Sequence, residues 1–451
     1  MRAILILFFV IILGINSSYA YELVLPKEKK SYVSTKYAFF VGHLEKNEVF
    51  SINDERVSTA PNGAFAHSVK LKDGENRIVL KSNYNTTIYK VYKKQILHNT
   101  CNELKELEPQ VYQVKKDNTP LRSTPIDYGM NRISHLFEGT YLIINGEKGG
   151  FYRVFLSKDK IAWIDKDAVI LSKKDICPEF VTMNNETFKN ASKHTIEFTE
   201  KLPYTIDEID DEIIFKIYNP IISENSIYTI NLKKPKKYFY KTTLDNGMYT
   251  FKISELPKSE NKTLNGLTVV VDAGHGGTEK GAIGCLGDYE KDINLNIANE
   301  LKDILSAMGA NVIMTRCNDS NVELGHRVDI AKNNNAHIFV SIHLNSIPDV
   351  KFDAHKHKGT SVYYYNKNSK NLANSVLATL VSELNTKQEG VKTASFAVIR
   401  PTEYVGILVE VAYMTNPFDS VLYKKEDFSY NTAKAIADGI MDYINNNDKL
   451  D

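Results

Sequence analysis

The sequence predicts a multidomain protein in which all-β modules precede a C-terminal α/β domain with a mainly parallel sheet flanked by helices. Two observations lead to this prediction. Residues 21–256 contain short alternating apolar and polar runs, separated by turn residues. From Leu264 onward, strand-like apolar runs alternate with helical patterns, which is the order of βαβ units. A chain of 451 residues is long enough for several such domains, each with its own core.

The first twenty residues have the pattern of a secretory signal. Arg2 precedes an apolar run over residues 4–13, and the small residues Ser18 and Ala20 predict cleavage after Ala20. The apolar run is shorter than the ~20 residues that span a bilayer. We therefore expect residues 1–20 to be removed, leaving an exported chain without a transmembrane span, in the periplasm or outside the cell.

Charge and composition exclude some classes of partner. The chain has 56 Lys and Arg residues against 55 Asp and Glu residues. A balanced chain offers no electrostatic reason to bind nucleic acid or an anionic membrane surface. The sequence leaves the oligomeric state open, and a monomer is the simplest expectation.

The first module covers residues 21–97. Its alternating runs are interrupted about every ten residues by turn signals such as Pro61-Asn-Gly63, which predicts a small β-sandwich. The order of these signals resembles the bacterial Ig-like modules of surface and cell-wall proteins.

The second module covers residues 108–173 and resembles a bacterial SH3-like barrel. The resemblance rests on the spacing of Thr119–Arg122, Gly149–Val154 and Ile161–Ile164. Barrels of this kind commonly recognise cell-wall peptides. Trp163, the only tryptophan, is either part of such a surface or simply a core residue.

The remaining residues divide into a third strand-rich module, a linker and the α/β domain. Residues 177–256 alternate well and carry no helix signals, so we expect a β-rich connector, and residues 257–263 are polar without periodicity. The α/β domain covers residues 264–448. Its expected elements, in order, are a strand at 269–273, a helix at 290–308, a strand at 311–315, a helix at 323–333, strands at 338–342 and 361–365, a helix around 372–384, a strand at 407–410 and a closing helix at 433–444.

Polar side chains end three of these strands. His275 follows the run Val269–Ala273, His343 ends the run that starts at Ile338, and Glu410 ends the run that starts at Gly406. In open α/β sheets, ligands bind at the carboxyl ends of the strands. Glu290 opens the first helix of the domain. We therefore expect His275, Glu290, His343 and Glu410 to meet at one edge of the sheet.

These four residue types suit a catalytic zinc site. Catalytic zinc takes three protein ligands and keeps one open position, and two imidazoles with one carboxylate fit that pattern. Glu410 is then left as a general base at the same edge. Structural alternatives exist: His343 can cap its strand through a hydrogen bond, and an acid at the start of a helix is favoured by the helix dipole alone.

Several motifs of this domain are similar to those of the zinc-dependent N-acetylmuramoyl-L-alanine amidases. The similar segments, which lie in the same order over about residues 264–446, are Val269–Gly277, Glu290–Leu295, Met314–Arg316, Arg327–Ala331, Phe339–Asn345 and Leu408–Asn416. The connector before them resembles a wall-targeting β domain often found in secreted amidases.

The resemblance implies a function. It implies Zn²⁺ on His275, Glu290 and His343, with Glu410 as the catalytic acid and base. The reaction would be hydrolysis of the amide between muramic acid and L-alanine in peptidoglycan, which would be the partner of a wall-associated enzyme. Asn345 and Arg400 match positions near the cleft of this family and are expected to contact substrate.

The sequence departs from the family in three places. Ala273 stands where proline is usual. Division-associated members of the family carry a long insertion after the second histidine that plugs the zinc site. Only residues 346–358 lie between Asn345 and Gly359 here, so we expect no built-in helical plug over the metal. Four cysteines in an exported chain favour two disulfides, Cys101 with Cys177 and Cys285 with Cys317, and four free thiols are the alternative.

Two other functions remain open at this point. The first is a different zinc hydrolase acting on the same wall, such as a peptidase or a sugar deacetylase. The second is a wall-binding protein without catalysis, in which the α/β domain acts as a lectin.

Overall fold

The computed structural model describes residues 21–45, 48–94, 103–174, 176–223, 225–258, 263–346 and 357–445. It confirms the coarse prediction of an all-β N-terminal region followed by a C-terminal domain of helices and a sheet. The predicted signal, residues 1–20, lies outside the described residues. In the described part of the chain, no helix combines the length and the apolar character needed to cross a membrane.

The first β region consists of two sheets that face each other. Their orders are β1-β3-β6 and β2-β8-β7-β4-β5. The apolar side chains of the two sheets, among them Phe40, Phe50 and Phe65, form one buried core. The strands are β1 Tyr21–Leu25, β2 Lys30–Val33, β3 Tyr37–Leu44, β4 Phe50–Ile52, β5 Glu55–Arg56, β6 Ala64–Lys70, β7 Gly74–Ser82 and β8 Thr86–Lys93.

The second β region is a single seven-stranded sheet with the order β11-β10-β14-β13-β12-β9-β15. Trp163 is only 6 % exposed. This burial agrees with the alternative that assigned it to the core. The strands are β9 Lys105–Val114, β10 Thr119–Arg122, β11 Arg132–Leu136, β12 Tyr141–Lys148, β13 Phe151–Ser157, β14 Lys160–Asp165 and β15 Val169–Leu171, with 3₁₀ turns at Gly129–Asn131 and Lys166–Ala168.

The third β region has two sheets, with the orders β16-β17-β22-β21 and β18-β19-β20. Its apolar core continues into that of the second region, and the hydroxyl of Tyr204 donates to the carbonyl of His135 at 2.8 Å. The two regions therefore pack as one body. The strands are β16 Phe180–Phe188, β17 Ala191–Phe198, β18 Tyr204–Ile209, β19 Glu212–Tyr218, β20 Ile227–Lys233, β21 Tyr238–Asp245 and β22 Met248–Glu255.

The C-terminal domain is built on one six-stranded sheet with the order β24-β23-β25-β28-β26-β27. The pairs β23–β24, β23–β25, β25–β28 and β26–β27 are parallel, and β26 is antiparallel to β28. The elements are β23 Thr268–Ala273, α1 Glu290–Ala307, β24 Asn311–Met314, α2 Leu324–Asn333, β25 Ile338–Asn345, β26 Thr360–Tyr364, α3 Lys370–Leu384, β27 Gln388–Thr393, β28 Val405–Tyr413, α4 Pro417–Tyr423 and α5 Phe428–Asn445, with 3₁₀ turns at Lys367–Ser369 and Ala397–Ile399.

Both faces of this sheet are covered, which explains the continuous apolar runs in its strands. Val269 and Val271 pack on the face covered by α1, α3 and α5, whereas Val270 packs on the opposite face with Ala331 of α2. The parallel pairing places the carboxyl ends of β23, β25 and β28 at one edge of the sheet.

The predicted disulfide between Cys285 and Cys317 is wrong, because both are free thiols. Cys285 is fully buried and packs among Val41, Ala60 and Ala64 of the first β region, whereas Cys317 is exposed at the surface. A thiol that points into this contact cannot reach one that points into solvent. Cys177 is free and exposed as well, and its predicted partner Cys101 lies outside the described residues.

Candidate metal centre

Three strand ends and one helix start meet at a single edge of the C-terminal sheet. His275 follows β23, and His343 lies near the end of β25, where it pairs in register with Glu410 of β28. Glu290 is the first residue of α1. The structure thus brings together the four residues that the sequence predicted at this edge.

The side chains of His275, Glu290 and His343 form a compact cluster. His275 Nε2 lies 3.2 Å from Glu290 Oε2, and His343 Nδ1 lies 2.9 Å from Glu290 Oε1. The two imidazole rings are 4.9 Å apart between centroids and nearly perpendicular. One ligand atom from each residue lies within 4.8 Å of the others, which is the size of a metal-binding cluster.

Glu290 is held in place from several sides. Its side chain is 5 % exposed. It accepts hydrogen bonds from the backbone N–H groups of Ala282 at 2.8 Å and Leu344 at 3.2 Å. Burial alone would raise the pKa of Glu290, but the contacts with His275 and His343 outweigh it and hold the pKa below its ordinary value. Glu290 is therefore an ionised carboxylate, the form that binds a cation.

The backbone around His275 is unusual. His275 has a φ of +61°, the left-handed region that residues other than glycine rarely adopt. Gly274 precedes it, and a Cβ atom there would overlap the ring of His343. The chain can approach His343 this closely only because residue 274 has no side chain. Arg327 Nη2 donates to the carbonyl of His275 at 2.9 Å and fixes the turn.

A buried ion pair supports this turn from below. Asp272 is 1 % exposed and Arg327 3 % exposed, and their atoms lie 2.6 Å apart. Asp272 also accepts from the hydroxyls of Thr315 and Ser341, each at 2.6 Å. Arg327 Nη1 donates to the carbonyl of Ala273 at 2.8 Å. The network links β23, β25 and α2 directly beneath His275.

Sequence reasoning did not identify Asp272 and Arg327 as site residues. A usable signal was present, because Asp272 ends an apolar run just as Glu410 does, and an unpaired buried charge is expensive. Arg327 lies in one of the motifs that carried the family resemblance, but its partner could not be read from its position in α2.

Glu410 lies beside the cluster without hydrogen bonding to it. Its Oε2 atom is buried and has no hydrogen-bond partner among the described residues, and the same holds for the hydroxyl of Ser361, which pairs with Glu410 across β26 and β28. Burial raises the pKa of Glu410 well above its ordinary value, repulsion from Glu290 adds to the increase, and Lys392 opposes it. The arrangement suits a carboxylate that accepts a proton readily.

The two predicted substrate residues lie in different places. Asn345 is two residues beyond His343 on β25, so both side chains project from the same face at the same edge. Arg400 precedes β28 and therefore lies at the opposite edge, where its Nη1 donates to the carbonyl of Ser395 at 2.8 Å. The structure does not bring Arg400 to the His-Glu-His cluster. The segment predicted to lack a plug falls largely on residues 347–356, outside the described residues.

The cluster has the donor atoms of a metal site. Two imidazole nitrogens and one carboxylate oxygen are typical ligands of catalytic zinc, and the buried Glu290 carboxylate supplies the negative charge. His275 is partly exposed, so the cluster opens toward solvent.

Comparison with known proteins adds a family assignment for this domain. A sequence model of the N-acetylmuramoyl-L-alanine amidase family matches residues 269–442. The chain is 38 % identical over 184 residues to the uncharacterized protein YqiI of Bacillus subtilis, covering 40 % of this chain and 86 % of YqiI. It is 37 % identical over 182 residues to the N-acetylmuramoyl-L-alanine amidase LytC of the same organism, covering 40 % of this chain and only 36 % of LytC.

A solved structure is similar over the same part of the chain. It is the catalytic domain of CwlV, an N-acetylmuramoyl-L-alanine amidase from Bacillus (Paenibacillus) polymyxa, with 36 % identity and a TM-score of 0.37. The similarity covers 39 % of this chain and 97 % of that domain.

Proposed function

Because the chain belongs, through residues 269–442, to the N-acetylmuramoyl-L-alanine amidase family, we propose that it is a peptidoglycan hydrolase. It cleaves the amide that joins N-acetylmuramic acid to L-alanine of the stem peptide. The observation that carries the proposal is the His275, Glu290 and His343 cluster with the unpaired carboxylate of Glu410 beside it.

In this proposal His275, Glu290 and His343 hold Zn²⁺. When bound there, the ion polarises the amide carbonyl and makes water more acidic. The protein orients the ligands: the Arg327 hydrogen bond fixes the turn at His275, and backbone N–H groups fix the carboxylate of Glu290. The direct contacts of Glu290 with both imidazoles support a shared site for the three side chains.

Glu410 carries the proton in the proposed reaction. It takes one proton from water as the water oxygen forms a bond to the carbonyl carbon, and it delivers that proton to the amide nitrogen as the carbon–nitrogen bond breaks. The products are the lactyl carboxylate and the free amino group of L-alanine. Asn345, on the same face as His343, is proposed to contact the substrate at this edge.

The upstream modules are proposed to hold the enzyme at the wall. We assign an Ig-like fold to residues 21–97, an SH3-like barrel to residues 108–173 and a targeting connector to residues 177–256. Tethering raises the local concentration of the catalytic domain without new chemistry. Residues 1–20 act as an export signal in this proposal, so the enzyme works in the periplasm or outside the cell.

The test is digestion of purified sacculi followed by mass analysis of the soluble products. We expect complete stem peptides with a free L-alanine amino group, and we expect a chelator to stop their release and added Zn²⁺ to restore it. Peptides cut internally would indicate a peptidase, and loss of acetyl groups alone would indicate a deacetylase; either result contradicts the proposal.

The role of Glu410 is tested by Glu410→Gln, which keeps the shape of the side chain and removes the base. We expect turnover to fall at least about 100-fold, which is the lower end for loss of a general base, while zinc affinity stays within a factor of a few. Glu300→Gln, on the exposed side of α1, is the matched control and should retain full turnover. Wild-type turnover by Glu410→Gln would refute the assigned role.

A further inference from the structure

A cluster of arginines lies where the second β region meets the C-terminal domain. Arg122 of β10 and Arg132 of β11 are paired in register across the hairpin that joins these strands. The tip of the hairpin touches the catalytic domain, because a Cβ atom on Gly129 would overlap the side chain of Ser395. Arg400 donates to both the carbonyl and the hydroxyl of Ser395. Guanidinium groups from two domains are thus gathered at one junction.

The acids near this junction do not neutralise it. Asp127 pairs with Arg122 at 2.6 Å. Glu403 pairs with Lys332 at 2.6 Å. No ion pair to an acid is formed by Arg132 or Arg400 within the part of the chain that the structure describes. His135, which faces the same junction, does not supply a negative charge. The junction therefore carries about two uncompensated positive charges.

Two of the guanidinium groups also have unused donors. The Nε–H groups of Arg122 and Arg132 are buried and have no hydrogen-bond partner among the described residues, and Arg122 as a whole is 5 % exposed. Buried donors and charges are normally paired, because leaving them unpaired is costly. Burial first, and then repulsion from Arg132 and Arg400, lower the pKa of His135 to about 4.

We propose that this junction binds a carboxylate of the peptidoglycan stem peptide, held by Arg132 and Arg400, with Arg122 behind them and the hydroxyl of Tyr365 nearby. A planar carboxylate matches the parallel N–H groups of a guanidinium, and charge-assisted hydrogen bonds of this kind are strong. Tyr365 lies beside these arginines, because the side-chain amide of the next residue, Asn366, donates to the carbonyl of Arg400 at 3.0 Å.

The site is distinct from the candidate metal centre. Ser361 pairs with Glu410, and β26 runs from there toward Tyr365, which directly follows the strand, four residues after Ser361. At about 3.3 Å per residue, the junction lies about 13 Å from Ser361, the residue that pairs with Glu410. A stem peptide of four or five extended residues spans a similar distance. The choice of a stem carboxylate rests on the proposed function, whereas the presence of an anion site does not.

The test measures binding to the full-length chain carrying Glu410→Gln, so that the probe is not consumed. The probe is N-acetylmuramoyl-L-alanyl-D-isoglutaminyl-L-lysyl-D-alanine, whose single free carboxylate ends a stem of four residues, and its carboxamide is the matched probe without that charge. By calorimetry at low ionic strength, we expect the carboxylate to bind about tenfold or more tightly than the carboxamide. Adding Arg132→Gln and Arg400→Gln together should remove this difference.

The control is the pair Arg56→Gln and Arg77→Gln, which makes the same change of charge at two exposed positions of the first β region. It should leave the preference for the carboxylate intact. Removing two uncompensated charges should not lower the melting temperature of the chain. If the glutamine variant does not fold, Arg132→Lys with Arg400→Lys keeps the charges without the planar fork and should still lose most of the preference.

Three results would overturn the proposal. The first is equal binding of the two probes by the unaltered junction, and the second is an unchanged preference after Arg132 and Arg400 are replaced. The third is binding of inorganic phosphate, abolished by the junction variant, without binding of the carboxylate probe, which would identify a phosphate site instead. Release of stem peptides from sacculi is measured separately on the chain with Glu410 intact, so failure of the amidase proposal and failure of the junction proposal are distinguishable.

Discussion

The ion pair between Asp272 and Arg327 allows a quantitative test of how the backbone turn at His275 is held in place. Both side chains are almost fully buried, and Asp272 accepts two further hydroxyl hydrogen bonds. Asp272→Asn keeps the shape and leaves the Arg327 charge buried without its partner. Removing one member of such a pair costs about 3–5 kcal/mol. We expect this loss in the free energy of unfolding of the C-terminal domain.

Arg327→Met should cost a similar amount, because it leaves Asp272 unpaired and frees the carbonyls of Ala273 and His275. The double variant should be more stable than the sum of the two losses predicts, by about 1–3 kcal/mol, because no orphan charge remains. Since Arg327 also fixes the His275 turn, we expect its replacement to weaken zinc binding by about 10- to 100-fold, the usual effect of removing an outer-shell partner.

The assay is urea unfolding followed by circular dichroism at 222 nm, with and without a chelator. All α-helices in the described part of the chain lie between residues 290 and 445, so this signal reports the C-terminal domain. Breaking the exposed pair of Lys434 and Asp438 on α5, in the same domain, with Lys434→Met is the control, and should cost no more than about 1 kcal/mol. A loss below about 1 kcal/mol for Asp272→Asn, or additive losses in the double variant, would refute the reasoning.

Three further predictions follow from other contacts. Cys285, whose thiol pKa is raised to about 12 by burial, should resist alkylation in the native protein while Cys317 reacts; equal labelling of both would contradict the packing found here. His135 has a pKa lowered from 6.5 to about 4, so its contribution to stability is complete above pH 6.5 and falls, by up to about 3 kcal/mol, as the pH drops toward 4. His135→Gln should make the free energy of unfolding less dependent on pH over this range, as followed by Trp163 fluorescence. An unchanged pH dependence would argue against this role of His135. Gly274→Ala should push the His343 ring aside and weaken zinc binding at least about tenfold in a competitive titration. Wild-type affinity would count against the close approach of the backbone at residue 274 to the His343 ring.

The sequence predicted the regular part of the C-terminal domain because its elements are long and strongly periodic. The helix expected from Glu290 is observed at Glu290–Ala307, and the strand expected at 338–342 is observed at Ile338–Asn345. Two elements were missed. β27, Gln388–Thr393, is mostly polar and lacks alternation, and α4, Pro417–Tyr423, is too short to show a period.

The candidate site was predictable where it depends on strand ends alone. His275, His343 and Glu410 each follow or end a buried parallel strand, and parallel strands end at one edge whatever their order. Arg400 could not be located in this way. β26 runs antiparallel to β28, and β27 runs parallel to β26, so the chain that leaves β27 reaches the far edge of the sheet before β28 begins. That reversal is a property of the assembled sheet.

The free thiols show the same limit. Cysteine spacing gave no information on which thiols face inward, and the burial of Cys285 depends on residues more than two hundred positions earlier in the chain. The buried pair of Asp272 and Arg327 likewise joins positions 55 residues apart. Such partners become visible only when the packing of whole elements is known.

The contact between the first β region and the last quarter of the chain has a consequence for folding order. Asn62 donates to the hydroxyl of Ser420 across a separation of 358 residues. Closing so long a loop is entropically unfavourable and belongs to the slowest steps of folding, and during synthesis it must wait until nearly the whole polypeptide has emerged. The first β region is synthesised first and is therefore expected to dock last. The burial of the Cys285 thiol by this region would accompany that final step.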